Sequence, residues 1–291
     1  MNKPLEGQVA VVAGATRGAG RGIAVKLGEA GATVYVTGRT TRESRSDVGR
    51  GETIDDTAEL VTAAGGVGIA VRTDHTDEEQ VKALFERVER EQDGRLDLLV
   101  NDVWGCESLI EFGRPFWEQP LSNGLTMQQR AVVSHLITSY YGVPLMVKRR
   151  RGLVIEVTDG VDYSYRGMLY YSLAKVANVH LAAALAEELR PYGVAALSLT
   201  PGFLRSEQML DHFGVTKDNW RDAAAKDPHF LASETPAYIG AAVVALASDP
   251  DILAKSGQAY STWRCADEYG IRDEDGTQPH WGSYYAGIQQ S

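Results

Sequence analysis

Residues 9–20 read VAVVAGATRGAG: an apolar, β-favouring run breaks into glycines and then resumes at helical spacing. Gly14, Gly18 and Gly20 form a Gly-x-x-x-Gly-x-Gly series. Glycines at such a turn let the chain leave a strand tightly, bring bare backbone up to a ligand, and start a helix whose first amides face negative charge. The anion that suits this arrangement is a pyrophosphate, and a strand, glycine turn and helix in that order open a dinucleotide-binding α/β fold. Thr16 and Arg17, inside the turn, belong to the same candidate site.

The chain beyond the turn keeps the same rhythm. Apolar, β-rich runs at 8–13, 32–37, 67–73, 96–100, 152–158, 193–199 and 258–262 alternate with helical patterns near 18–30, 53–64, 77–92, 126–148, 171–190 and 235–248. Continuous hydrophobicity in LDLLV (96–100) and VAALSL (194–199) predicts strands covered on both faces. The expected fold is therefore a three-layer, doubly wound parallel sheet, a Rossmann fold of about seven strands in a single domain spanning 1–291. Three stretches exceed simple connections: 41–52 and 104–125, which leave from the carboxyl ends of strands and are expected to shape a substrate site, and the tail 263–291. The tail is rich in Trp, Tyr, Asp and Gly, and its sequence leaves open whether it covers the pocket or pads a subunit surface.

Composition narrows the function. The chain has 291 residues, 44% hydrophobic and 23% charged, which is globular composition, and a formal net charge of −10, which repels nucleic acid and anionic membrane surfaces. The one basic run, Lys148 to Arg151, reads as the solvated end of a helix. Cys106 and Cys265 stand far apart and suggest no disulfide framework, and the scattered histidines suggest no metal site. A reducing cytoplasm is expected, because the N-terminus runs directly into the first strand with no signal peptide or membrane-spanning run.

The cofactor can be read further. In NAD-binding folds an acidic residue about 20 positions past the glycine turn holds the ribose 2′-hydroxyl. Here that place is Gly38, followed by Arg39 and Thr40, with Arg17 back in the turn. Two guanidinium groups at the adenosine ribose suit a 2′-phosphate, so NADP(H) is favoured over NAD(H).

Tyr171 and Lys175, in YYSLAK, are four apart and share one helix face. An ammonium that close favours phenolate and is expected to lower the tyrosine pKa by ~1 to 3 units, bringing the phenol into range for proton exchange with a carbonyl oxygen. With the glycine turn, Asn101 after the fourth strand and Pro201-Gly202 after the sixth, this Tyr-x-x-x-Lys pair resembles the short-chain dehydrogenase/reductase family over about residues 5–262. GATVYVTGRT, EQDGRLDLLVN and YGIRDEDG look like its dehydrogenase/reductase member 1 subgroup. The resemblance implies hydride transfer between NADP(H) and a small-molecule carbonyl/alcohol substrate, with Tyr171 as acid/base and Lys175 as pKa modifier and ribose ligand. It also implies adenine contact at Asp74 and His75, cofactor contact at Asn101, Pro201, Gly202 and Leu204, and a homodimer or homotetramer built on the helices of 131–148 and 171–190.

Two positions depart from that pattern. The family's catalytic serine falls at Thr158-Asp159: aligning the strand selects Asp159, and counting back from Tyr171 selects Thr158. A threonine keeps the hydroxyl donor, whereas an ionised aspartate opposes a developing alkoxide and raises the tyrosine pKa. The family's helix asparagine falls near Ala131. Losing preorganised donors commonly costs ~10²–10³ in rate each, so the alternatives are a catalytically weakened NADP(H)-binding sensor or scaffold, or a reductase of imine-type substrates that uses Asp159.

Overall fold

A computed structural model describes residues 3–45 and 49–289; residues 46–48, part of the 41–52 stretch, lie outside it. The strands are β1 (Val9–Ala13), β2 (Thr33–Gly38), β3 (Val67–Arg72), β4 (Leu98–Asn101), β5 (Gly152–Val157), β6 (Val194–Thr200) and β7 (Ala259–Ser261). They form one parallel sheet in the order β3-β2-β1-β4-β5-β6-β7. The chain reverses its direction of travel across the sheet between β1 and β4, and an open α/β sheet holds its ligand in the crevice beyond the carboxyl ends at such a point. In the β1–β4 register Ala13 pairs with Asn101, so the glycine turn and the 102–105 segment leave the sheet side by side.

Every residue of β1, β4 and β6 is buried, and the side chains divide between two apolar cores. One lies under α1 (Gly18–Glu29), α2 (Ile54–Ala63) and α8 (Pro236–Ala247). The other lies under α3 (Glu78–Glu91), α5 (Ser134–Arg149) and α6 (Leu169–Leu189). This is the double covering that uninterrupted apolar strands require. Helix starts follow local chemistry: Thr53 accepts from the Asp56 amide, Asp77 from the Glu79 and Gln80 amides, and Thr235 from the Ala237 amide beside Pro236.

The helical pattern at 126–148 is composite. A short α4 (Leu121–Gln128) passes through one π-helical segment, Gln129–Val133, into α5. Ala131, the position aligned with the family asparagine, is buried inside that π turn. The basic run closes α5 as expected: Arg150 adopts a left-handed conformation, and Lys148 pairs with Glu89 at 2.8 Å. Three helices escaped the periodicity reading, namely α7 (Glu207–Phe213), α9 (Thr262–Tyr269) and α10 (Trp281–Gln289). Among the described residues no helix is long and apolar enough to cross a membrane.

Candidate active site

A single cleft runs over the carboxyl ends of β1, β2, β4, β5 and β6, from Arg39 and Asp74 at one end to Asp159, Tyr171 and Trp281 at the other. Its floor is the glycine turn. Gly14 has φ +88°, and a Cβ there would stand 2.5 Å from the Asp102 carbonyl oxygen, so only glycine fits. Gly38 is closed in the same way, because a Cβ would meet Thr16 Oγ1 at 2.6 Å and leave no room for an acid. Arg17 and Arg39 both line this end. Arg17 Nε lies 3.5 Å from Glu52, whose carboxylate also pairs with Arg50 at 2.7 Å, and the buried Nε and Nη2 of Arg17 have no hydrogen-bond partner. Orphaned donors on a glycine cradle fit a phosphate-bearing dinucleotide. Asp74 accepts from the Thr76 amide and hydroxyl; burial pushes its carboxyl up, but these bonds and the Arg39 charge hold it below its usual range.

At the far end the structure separates the two candidates for the serine position. Thr158 donates its hydroxyl to the Lys175 carbonyl at 2.6 Å and is thereby committed to holding α6. Asp159 Oδ2 accepts the Tyr171 hydroxyl at 2.8 Å. The carboxyl, not the threonine hydroxyl, is Tyr171's partner. Arg166 fixes the Asp159 backbone by donating Nε to its carbonyl at 2.8 Å, and its Nη2 turns to Asp162.

Electrostatics at Tyr171 correct one expectation. Burial, followed by the charge and hydrogen bond of Asp159, raises its pKa well above 10, and Lys175 does not reverse this. The lysine ammonium sits 4.1 Å from the Trp104 ring centroid and 5.6 Å from that of Tyr171. Burial pulls its own pKa down, against Asp159 and Asp102, which pull it up. Asp102 is itself raised to about 7, because burial outweighs the help of Lys175, His135 and the Gly20 amide.

Two further expected residues also hold the structure beneath the cleft. Asn101 is fully buried and its side-chain nitrogen donates to Glu156 Oε1 at 2.7 Å and to Ser139 at 3.0 Å, while its Oδ1 has no hydrogen-bond partner. The His75 ring spans Thr37 (2.7 Å) and Thr138 (2.8 Å) below the surface, and burial lowers its pKa to about 3. His75 nonetheless lines the cleft, as do the other expected residues apart from Gly20 and Asn101; Thr16, Thr40, Pro201, Gly202 and Leu204 are among them.

Sequence reasoning missed five participants. Glu207, at the start of α7, accepts the Gly18 amide at 2.9 Å. Glu234 is fully buried and accepts from the Gly202 amide at 2.9 Å and from Thr262 at 2.8 Å, with its pKa raised to about 8 by burial. His135 and Glu156 form a buried pair at 2.6 Å, and the other His135 nitrogen reaches the Val103 carbonyl at 3.0 Å, bracing the segment after β4. Trp281, from the tail, lines the cleft beside Gly202 and packs edge-on against Phe203. Each of these pairs residues remote in sequence, so only the unpaired acids of PGFLRSE and ASETP were visible as a signal.

The fold and this cleft define a short-chain dehydrogenase/reductase, and the chain belongs to that family: the model of the short chain dehydrogenase family matches residues 8–213. It is 39% and 38% identical over 280 residues to "Dehydrogenase/reductase SDR family member 1" of Mus musculus and Homo sapiens, covering 95% of this chain and 86% of each relative. It is 27% identical over 259 residues to a 3-oxoacyl-acyl-carrier-protein reductase of Aquifex aeolicus, covering 84% of this chain and 97% of that one. A short chain dehydrogenase crystal structure from Mycobacterium thermoresistibile superposes with TM-score 0.79 at 22% identity, over 96% of this chain and 92% of that one, a likeness of fold. The family uses nicotinamide cofactors and acts on small molecules.

Proposed function

We propose that the protein is an NADP(H)-dependent oxidoreductase that moves a hydride between the nicotinamide and a carbon bonded to a heteroatom, the carbonyl/alcohol pair being the general case. The observation that carries this reading is one cleft with orphaned Arg17 donors at one end and the Tyr171, Lys175 and Asp159 cluster at the other. The relative named as a 3-oxoacyl reductase supports it by its printed activity. When bound, the nicotinamide supplies or takes the hydride.

In this reading the amides of the 14–20 turn hold the pyrophosphate, Arg17 and Arg39 hold a 2′-phosphate where Gly38 excludes an acid, and Lys175 holds the ribose. Tyr171 orients the substrate heteroatom and exchanges its proton, and Trp281, Phe203 and Trp104 exclude water. A second reading, a cofactor-binding protein without turnover, is favoured by the commitment of the Tyr171 hydrogen to Asp159 and by Ala131.

Fluorescence titration tests the cofactor assignment. NADPH is expected to bind at least ~10-fold tighter than NADH, and Arg39→Ala to remove most of the difference. Equal affinities in the unmodified protein overturn NADP(H) selectivity. NADPH oxidation against a panel of carbonyl compounds then separates the oxidoreductase from the binding protein.

A further inference from the structure

The Tyr171–Asp159 pair presents an unusual polarity to whatever lies against it. A phenol has one hydrogen, and that hydrogen is committed to Asp159 Oδ2. A carboxylate only accepts. What the pair offers is therefore lone pairs and a negative charge, at the place where reduction of a neutral carbonyl needs hydrogen-bond donors for the oxygen that becomes an alkoxide. Arg166 does not change this, because its guanidinium goes to the Asp159 carbonyl and to Asp162. Lys175 and Arg130 line the same cleft as cations; Arg130 donates to the Gly105 carbonyl at 2.6 Å, and Lys175 feels Asp159, Asp102 and Glu107 together. All three acids line the cleft, and the walls beside them are the rings of Trp104, Tyr171, Phe203 and Trp281. The acceptor pair of Tyr171 and Asp159 and the aromatic faces beside it together suit a cation that carries an N–H.

We propose that the preferred hydride acceptor is a cationic carbon–nitrogen double bond, the iminium form of a cyclic or secondary amine, with its N–H donated to Asp159. This rests on the reading above that the Tyr171 end of the cleft receives the substrate. In the step, the iminium carbon takes a hydride with its electron pair from NADPH, the C=N π pair becomes the nitrogen lone pair, and the products are a neutral amine and NADP+. No proton moves during hydride transfer, so the commitment of the Tyr171 hydrogen to Asp159 does not obstruct the reaction. An alkoxide never forms beside the carboxylate. Asp159 is here the specificity-determining residue.

Three probes of similar shape separate charge, N–H and carbonyl chemistry: 3,4-dihydroisoquinoline, its N-methyl iminium salt, and 1-tetralone. With NADPH, kcat/KM for the protonated imine is expected to exceed that for tetralone at least ~10-fold, with the N-methyl salt between them because it keeps charge and loses the N–H. Asp159→Asn, nearly isosteric, should cost the imine at least ~10-fold, and both it and Asp159→Ser should shift preference toward the ketone. Calorimetry with tetrahydroisoquinolinium gives a readout without turnover: binding by the unmodified protein, weakened at least ~10-fold in Asp159→Asn, supports cation recognition. Tetralone preferred by the unmodified protein, 1-tetralol oxidised faster than tetrahydroisoquinoline, or an imine-to-ketone ratio unmoved in both Asp159 variants overturns the proposal. NADPH bound with no turnover and no amine binding overturns it too. Failure to bind NADPH overturns the oxidoreductase reading instead, and the calorimetry still decides whether the pocket selects a cation.

Discussion

The Glu207 carboxylate accepts the Gly18 amide at 2.9 Å, with Arg21 3.6 Å away on the same helix end. An anion thus already sits at the N-terminus of α1, where the partial positive charge of the helix is greatest. In the proposed function a pyrophosphate must take that amide and tolerate the acid beside it. Glu207→Gln keeps the shape and removes the charge, so NADPH affinity is expected to rise by about 5- to 10-fold, roughly 1 kcal/mol. Fluorescence titration at low ionic strength checks this, and an unchanged or weakened affinity refutes displacement of Glu207.

Tyr171 should be a phenol through the whole working pH range, because burial and Asp159 both hold its pKa up. Asp159→Asn removes the charge and is expected to bring the Tyr171 titration down toward the ordinary phenol value. Difference absorbance near 295 nm, comparing Asp159→Asn with Asp159→Asn/Tyr171→Phe, follows that one residue. Tyr171→Phe alone should abolish reduction of carbonyl substrates while changing NADPH affinity less than ~3-fold, since its hydroxyl exchanges the proton with that oxygen. Full activity in that variant puts the proton elsewhere.

Stability should fall on the alkaline side because of Glu234. Its folded pKa is raised to about 8 from 4.5, so the folded state holds a proton that the unfolded chain releases. That contribution is complete below the unfolded value and is lost as pH rises through about 8, by up to about 1.4 kcal/mol for each pH unit between them. Melting of the protein without cofactor is expected to show the decline between the unfolded value of 4.5 and about 8, and a flatter profile in Glu234→Gln. Parallel profiles sink the assignment. His75 acts at the other side: its pKa is lowered to about 3, so it stays neutral when folded, and stability falls as pH drops below the ordinary histidine value toward 3.

Leu136 and Tyr140 on α5 are 54% and 70% exposed, and Leu169 and Leu173 on α6 are 39% and 54% exposed. Each pair lies one helical turn apart, which makes two adjoining apolar stripes without a cover in the single chain. An isologous homodimer, or a tetramer built from it, is expected to bury them. Light scattering should give at least twice the monomer mass at micromolar concentration, and Leu173→Asp should lower it. A monomer at that concentration contradicts the assembly.

The sheet was legible because both of its signals are local. Apolar runs bounded by glycine gave every strand to within a residue or two, and the spacing of Gly14, Gly18 and Gly20 gave the crevice. Tyr171 and Lys175 were legible because one helix carries both. The choice between Thr158 and Asp159 was not, since it depends on how the chain turns after β5, where Thr158 is drawn under α6 and Asp159 is left facing Tyr171. The partners of the Asn101 side chain were illegible for a similar reason: Glu156 and Ser139, to which its nitrogen donates, stand 55 and 38 residues away. Helices α7, α9 and α10 are too short to impose a period on the sequence.

Trp281 lines the same cleft as the glycine turn after β1, against Gly202 and Phe203. The pocket is therefore assembled from segments made far apart in the order of synthesis. A nascent chain can form β1, the glycine turn and most of the sheet long before residue 281 leaves the ribosome, but it cannot have the complete pocket. A cofactor stabilises only states that bind it, so any stabilisation that needs the complete pocket reaches the emerging chain only after this tryptophan arrives. Substitutions at Trp281 should accordingly lower the yield recovered from cells grown with abundant cofactor more than they lower the melting temperature of the purified protein measured alone.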